Sequence, residues 1–316
     1  MKEKRKPKGT KAEIHAYKKR TTLIGTAIIA AILVIIIVLS SLLIYSYLKP
    51  SQPNEPPPPV LELKAAIVDH LSLTIPNHSF NKTVTNILKE AGYTVDYYPG
   101  EEITVGSYKN LPTHGYGLIV LRVHSGLVEG EKPPLCLFTS ERYSETKYSL
   151  EQLTDRITGV AYSEEEAEMG IAYFGVTPKF VQQDMKGSFQ NTTIIMMGCN
   201  GLTYPFMAGA FIGKGAKVYI GWNLAVSAGH TDKATTQLLQ HLITERQTIK
   251  QAVTEIMKEV GPEPENGSIL LYYPKTLVDN YTIPNIANNL ILNDATISGY
   301  DSQPSLGHVR CLRPGK

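Results

Sequence analysis

Beyond residue 60 the chain alternates short apolar runs with segments whose apolar residues recur every three or four positions. The run at 63–70 (LKAAIVDH) is continuously apolar and ends in polar residues, as a strand buried on both faces does. The next segment, 79–92, places Phe80, Val84, Ile87 and Leu88 on one helical face and closes on Gly92, a helix with its C-terminal stop. Strands follow at 93–99 and 116–126, and then a less regular stretch. After it come a strand over 192–201 (TTIIMMGCNG), a helix over 204–215 and a strand over 216–222. Helices at 232–245 and 248–260 and a strand-like 268–274 complete the body. Such alternation predicts an α/β fold whose mainly parallel sheet is covered by helices on both faces.

Before this body, residues 21–48 form a run of 28 uncharged positions. A bilayer's hydrocarbon core needs only about 20. The run predicts a transmembrane helix closed by Tyr45 and Tyr47 as interfacial residues. A cleaved signal peptide is the competing reading, but its apolar core is typically only 7–15 residues. Six prolines between 50 and 59 predict an extended stalk of roughly 30 Å. The organisation expected is a basic cytoplasmic tail (1–20), a membrane helix (21–48), a Pro-rich stalk (49–61) and one extracytoplasmic domain (62–316).

Charge sharpens that division. The chain holds 31 Lys and Arg against 29 Asp and Glu, but nine of the basic and two of the acidic residues lie in the first 20, leaving 22 and 27. The basic tail sets the cytoplasmic side. An acidic body excludes phosphate-backbone binding, so no nucleic-acid partner is expected. Five Asn-X-Ser/Thr acceptors, Asn77, Asn81, Asn191, Asn266 and Asn280, all follow the membrane run and are glycosylation candidates in an outer domain. Three cysteines, Cys136, Cys199 and Cys311, leave at least one thiol unpaired within the chain, and the pairing is not readable from spacing.

In open parallel sheets chemistry collects beyond the carboxyl ends of the strands. Those ends carry Asp69-His70, His124-Ser125-Gly126, Cys199-Asn200-Gly201 and Trp222. Two of them bring a thiol and an imidazole, the pairing that nucleophilic cysteine catalysis requires. His70 also ends an apolar run but lacks the following Ser or Gly, and His114 and His230 do not end one. Cys199 read as an ordinary buried thiol is the alternative. No Cys or His cluster has zinc spacing, and no metal or other cofactor is expected. GKGAKV at 213–218 precedes a strand where a nucleotide loop would follow one.

GLIVLRVHSG followed by TTIIMMGCNG resembles the paired His and Cys blocks of the caspase-like cysteine peptidases, which include clostripain, gingipains, legumain, separase and the CHAT domains. The separase and CHAT sequences are the nearest in pattern. Gly198-Cys199, Gly215-Ala216, the strand ending at Trp222 and Asp232 opening the next helix are the matching parts. The resemblance covers about residues 63–260. It implies a caspase-like three-layer sandwich and a cysteine endopeptidase acting on a protein or peptide, with Cys199 as nucleophile and His124 as base. Backbone N–H groups of Ser125, Gly126 and Cys199 would form the oxyanion hole. Asp69 is a candidate pocket acid selecting Arg or Lys, or else a capping or loop carboxylate. Trp222 is a candidate wall of the cleft, or else packing, and Asp232 reads as an N-cap. The caspase signature before the cysteine is absent, and Met197 stands where clostripain-like relatives place an acid. A fold that binds at the surface without turnover is the alternative function.

Overall fold

The computed structural model describes residues 24, 25, 28, 31–44, 63–128 and 131–284. The chain divides into two units, 1–60 and 61–316. In the first, residues 31–44 are helical and exposed. Among the described residues no helix is long and apolar enough to cross a membrane. The predicted tail 1–20, the remaining parts of the predicted span 21–48, the stalk 49–61 and Cys311 lie outside the described residues.

The second unit opens with β1 (Lys64–Asp69), α1 (His78–Glu90), β2 (Thr94–Pro99), α2 (Val105–Asn110) and β3 (Leu118–Arg122). Then come β4 (Ser125–Leu127), β5 (Leu135–Arg142), α3 (Ser149–Leu153), β6 (Ile157–Val160), α4 (Glu164–Glu168), β7 (Tyr173–Val176) and α5 (Pro178–Gln183). The remainder is β8 (Thr193–Met196), α6 (Phe206–Gly213), β9 (Val218–Trp222), α7 (Ala228–Leu239), α8 (Ile249–Glu259) and β10 (Leu270–Tyr273). Six strands make one sheet in the order β10-β9-β8-β3-β1-β2, parallel except for β10, which runs antiparallel to β9. This is the mixed α/β architecture with a mainly parallel sheet that the strand-helix alternation predicts.

The inner strands are apolar through their middles because both their faces are covered. Ala65 and Ile67 of β1, Leu118 and Val120 of β3 and Ile195 beside Met197 face a core shared with α1, α7 and α8. Ala66, Val68, Ile119, Leu121, Ile194 and Met196 face the opposite core, with Phe180 of α5 and Phe211 of α6. α1 is amphipathic as its spacing predicts, capped by Asn77 accepting from the Phe80 N–H and ended by Gly92 at φ +89°. A capping box of Thr248 and Gln251 starts α8.

Three expectations change. The strand predicted over 116–126 is two: β3 stays in the main sheet, while β4 leaves it to pair antiparallel with β5. The irregular middle section forms a second sheet, β4-β5-β7-β6, in which β4, β6 and β7, at three or four residues, are too short for an alternation pattern to declare itself. α7 begins at Ala228 with Ser227 before it, so Asp232 is not its N-cap but lies inside it, only 5% exposed.

Candidate active site

β3 and β8 are neighbours with Leu121 opposite Met196, so His124 and Cys199 each stand three residues beyond the last paired position. Adjacent strands lie about 4.8 Å apart. The two ends are in direct contact: the Met197 N–H donates to the Leu121 carbonyl, and Ser125 Oγ donates to the Cys199 carbonyl at 2.7 Å. Gly198 makes this approach possible. A Cβ there would sit 2.4 Å from both Ser125 Oγ and the Val123 carbonyl oxygen. Past the cysteine, Asn200 takes φ +59°, a left-handed conformation that asparagine tolerates, and its N–H donates to the Leu224 carbonyl.

That turn brings the 223–227 segment over the sulfur. The Val226 N–H donates to Cys199 Sγ at 3.4 Å, and the thiol reaches the Val226 carbonyl at 3.6 Å. Both His124 and Cys199 are half-buried, within reach of solvent. Burial, and next the Arg122 guanidinium, hold His124 below the ordinary histidine pKa, with Glu166 opposing. The ring is therefore neutral at pH 7 and able to accept a proton. Its Nε2 lies 3.0 Å from Thr74 Oγ1, Tyr162 stacks against it at 5.7 Å, and His70 meets it edge-on at 5.7 Å. His70 itself is fully buried and bonded through Nε2 to the Tyr162 hydroxyl at 3.0 Å. Burial depresses its pKa to about 4.

The ladder sorts the expected oxyanion donors. The Phe138 N–H donates to His124 and the Val128 N–H to Pro134, so bonded pairs alternate along β4 and β5. Gly126, opposite Cys136, falls on a bonded pair and its N–H points into the ladder. Ser125 falls on a non-bonded pair, so its N–H turns away from β5. Gly126 is thus corrected as an oxyanion donor, whereas the Ser125 N–H lies outside the β4–β5 ladder.

Under the strand ends lies a buried ionic cluster. Arg122 donates from Nη1 to Asp69 at 2.8 Å, from Nε and Nη2 to Asp232 at 2.8 and 2.9 Å, and from Nη2 to the Ile75 carbonyl at 2.9 Å. Asn81 and Tyr97 also donate to Asp69, and Asn77 to Asp232. The cluster corrects the expectation for Asp69: it is 0% exposed and its carboxylate is fully engaged inside, so it offers no charge to a substrate. Trp222 is likewise core, 1% exposed, with its indole N–H donating to Thr231. Two glycan candidates change as well. The amide nitrogens of Asn77 and Asn81 donate into this cluster, whereas Asn191, Asn266 and Asn280 are exposed, Asn266 with its amide nitrogen donating to Glu263.

Neither a protein-family model nor a curated protein matches this chain. Among solved structures, the crystal structure of the Arg-specific cysteine proteinase gingipain R is similar at a TM-score of 0.40 and 10% identity. The match covers 71% of this chain and 46% of that one, so the chain spans less than half of that protein's length. No residue role passes between the two at that distance.

Sequence reasoning missed Arg122, Thr74, Tyr162 and Val226. Arg122 carried a signal, because a charge inside the apolar run GLIVLRV must find buried partners. The other three sit in turns and loops, where nothing local marks them. Among the described residues no group of three or more His, Cys, Asp or Glu side chains could hold a metal ion.

Proposed function

We propose that this chain is a membrane-anchored, extracytoplasmic cysteine endopeptidase working through a Cys199 and His124 pair. The observation that carries the reading is the equal offset of the two residues beyond Leu121 and Met196, with Ser125 bonded to the Cys199 carbonyl. Cys199 loses its thiol proton to the imidazole and its sulfur bonds the scissile carbonyl carbon, whose π electrons move to oxygen. The oxyanion is met by the Ser125 N–H with that of Cys199. Collapse expels the amine, which takes the proton from His124. Water then hydrolyses the thioester, releasing the acid and restoring the thiol. The substrate is a protein or peptide, with nucleic acid excluded by the acidic body.

The anchor rests on the 28 uncharged residues at 21–48, of which 31–44 are helical with apolar side chains exposed all round. Nine basic residues before it favour an inside N-terminus and an outer C-terminal domain. Exposed Asn191 and Asn280 are the acceptors open to glycans there, while the Asn266 amide nitrogen is engaged by Glu263. Cleavage of a diverse peptide library by the wild type, lost in both Cys199→Ala and His124→Ala with the fold intact, is the expected result. Cleavage surviving either substitution sinks the mechanism.

One observation favours a second reading, a binding or sensor domain without turnover. The Cys199 sulfur is engaged by the N–H and carbonyl of Val226. A thiol-reactive peptide probe that fails to label Cys199 under reducing conditions would support that alternative.

A further inference from the structure

We propose that the unpaired edge of β4 is a subsite for the leaving-group half of the substrate, which adds to it as an extended strand and seats an apolar side chain in the groove beyond Val128. The inference rests on the peptidase reading and names the part of the substrate that this region recognises. β4 ends the second sheet, so among the described residues its outer edge pairs with no strand. The Phe138 N–H reaches His124 and the Val128 N–H reaches Pro134, which commits Gly126 to β5 and turns the N–H and C=O groups of Ser125 and Leu127 outward. Leu127 is 37% exposed there. Free strand edges are ordinarily guarded by a charge, a proline or a bulge, and Ser125-Gly126-Leu127 carries none of them.

The chemistry assigns which half of the substrate lies on this edge. The leaving amine takes its proton from His124, so the chain that follows the amine starts beside that ring. β4 starts one residue after His124, and the leaving half runs along it in the same direction, meeting the outward N–H and C=O of Leu127. A strand advances about 3.3 Å per residue, so roughly 10 Å past Ser125 the third or fourth leaving-side residue comes level with Val128. There a groove of about 540 Å³ opens, with Val128, Pro134, Pro178 and Phe206 in its walls. Phe206 is 41% exposed, and its ring stacks on Tyr204 at 5.9 Å. Of the two lysines in the lining, Lys179 is paired with Asp155 at 2.9 Å and Lys132 is exposed. Main-chain bonds along a free edge supply affinity for an extended peptide, and the groove supplies the choice of side chain.

The test uses the full-length chain and two substrates with the same acyl half, taken from the best-cleaved library peptide. One keeps four residues after the scissile bond, and the other is the aminomethylcoumarin amide, which has none. Leu127→Pro removes the outward N–H and no ladder bond, and proline is tolerated on an edge strand. Its kcat/KM should fall about tenfold on the long peptide, as the loss of one backbone hydrogen bond predicts, and stay within about twofold of wild type on the amide. Leu127→Val, which keeps the N–H, should match wild type on both. The wild type should favour an apolar third or fourth leaving-side residue, and Phe206→Ser should lose that preference. Wild-type cleavage of the long peptide by Leu127→Pro, an equal loss on both substrates, or a wild-type preference for a charged residue at those positions overturns the inference. If the wild type cleaves neither substrate, the peptidase reading fails, and hydrogen exchange at the Leu127 amide of Cys199→Ala with the pooled peptide library decides the edge separately. Slowed exchange supports peptide pairing on β4, and unchanged exchange refutes it.

Discussion

Replacing Arg122 with methionine tests whether the buried cluster organises the strand ends. Methionine keeps the length and apolar stem but removes the charge and four donated hydrogen bonds: one to Asp69, two to Asp232 and one to Ile75. Asp69 retains Asn81 and Tyr97 as donors, and Asp232 retains Asn77. Neither keeps a cation. The side chains of Arg122 and Asp69 are 0% exposed and that of Asp232 is 7% exposed, so solvent cannot compensate. Removing one partner of a buried ion pair costs about 3–5 kcal/mol, against about 0–1 for a surface pair. The surviving neutral donors place Arg122→Met near 4 kcal/mol, a fall in Tm on the order of 10 °C for a domain of this size.

Urea denaturation followed by fluorescence of Trp222 reads the change, since it is the only tryptophan and lies in the core next to Thr231. The triple variant Arg122→Met, Asp69→Asn, Asp232→Asn should recover a large part of the loss, because it removes the uncompensated carboxylates. A loss under about 1 kcal/mol in the single variant would refute the burial argument. A triple variant less stable than the single one would refute the charge argument.

Gly198→Ala should push the ends of β3 and β8 apart, costing about 1–3 kcal/mol as an overpacked site does. Peptide cleavage should fall at least about tenfold through misplaced Cys199, and wild-type activity in this variant would show that the space a Cβ at 198 would take is not needed by the two strand ends. His70, held near pKa 4 by burial and next by His124, binds fewer protons folded than unfolded between its ordinary value of about 6.5 and 4. Stability should therefore fall by up to roughly 3 kcal/mol as pH drops through that window, and His70→Gln should flatten the slope of a pH series of denaturation curves. His241 has the opposite sign: burial alone would lower its pKa, but the Glu259 and Glu245 carboxylates on its two ring nitrogens raise it. Its contribution should be full below about pH 6.5 and lost as pH rises through the raised value, and a pH-independent hydrogen-exchange protection factor at the ends of α7 and α8 would contradict this.

Local pattern was enough for the elements of the main sheet. The apolar run at β1, the periodic face of α1 and the glycine after it are decided by neighbours a few residues apart, and the structure places them within a residue or two of the sequence reading. Local pattern also marked His124 and Cys199 as polar residues ending apolar strands. It could not say that those strands are adjacent, because pairing between Leu121 and Met196 is set by how whole elements pack and not by any spacing along the chain. The same limit hid the second sheet, whose short strands are defined only by their partners. It also misread Asp69, a carboxylate whose role depends on an arginine 53 positions later filling the space beside it. The sequence determined which residues could carry chemistry. Tertiary packing decided which of them meet, which are neutralised, and that a threonine in the turn after β1 stands against the imidazole.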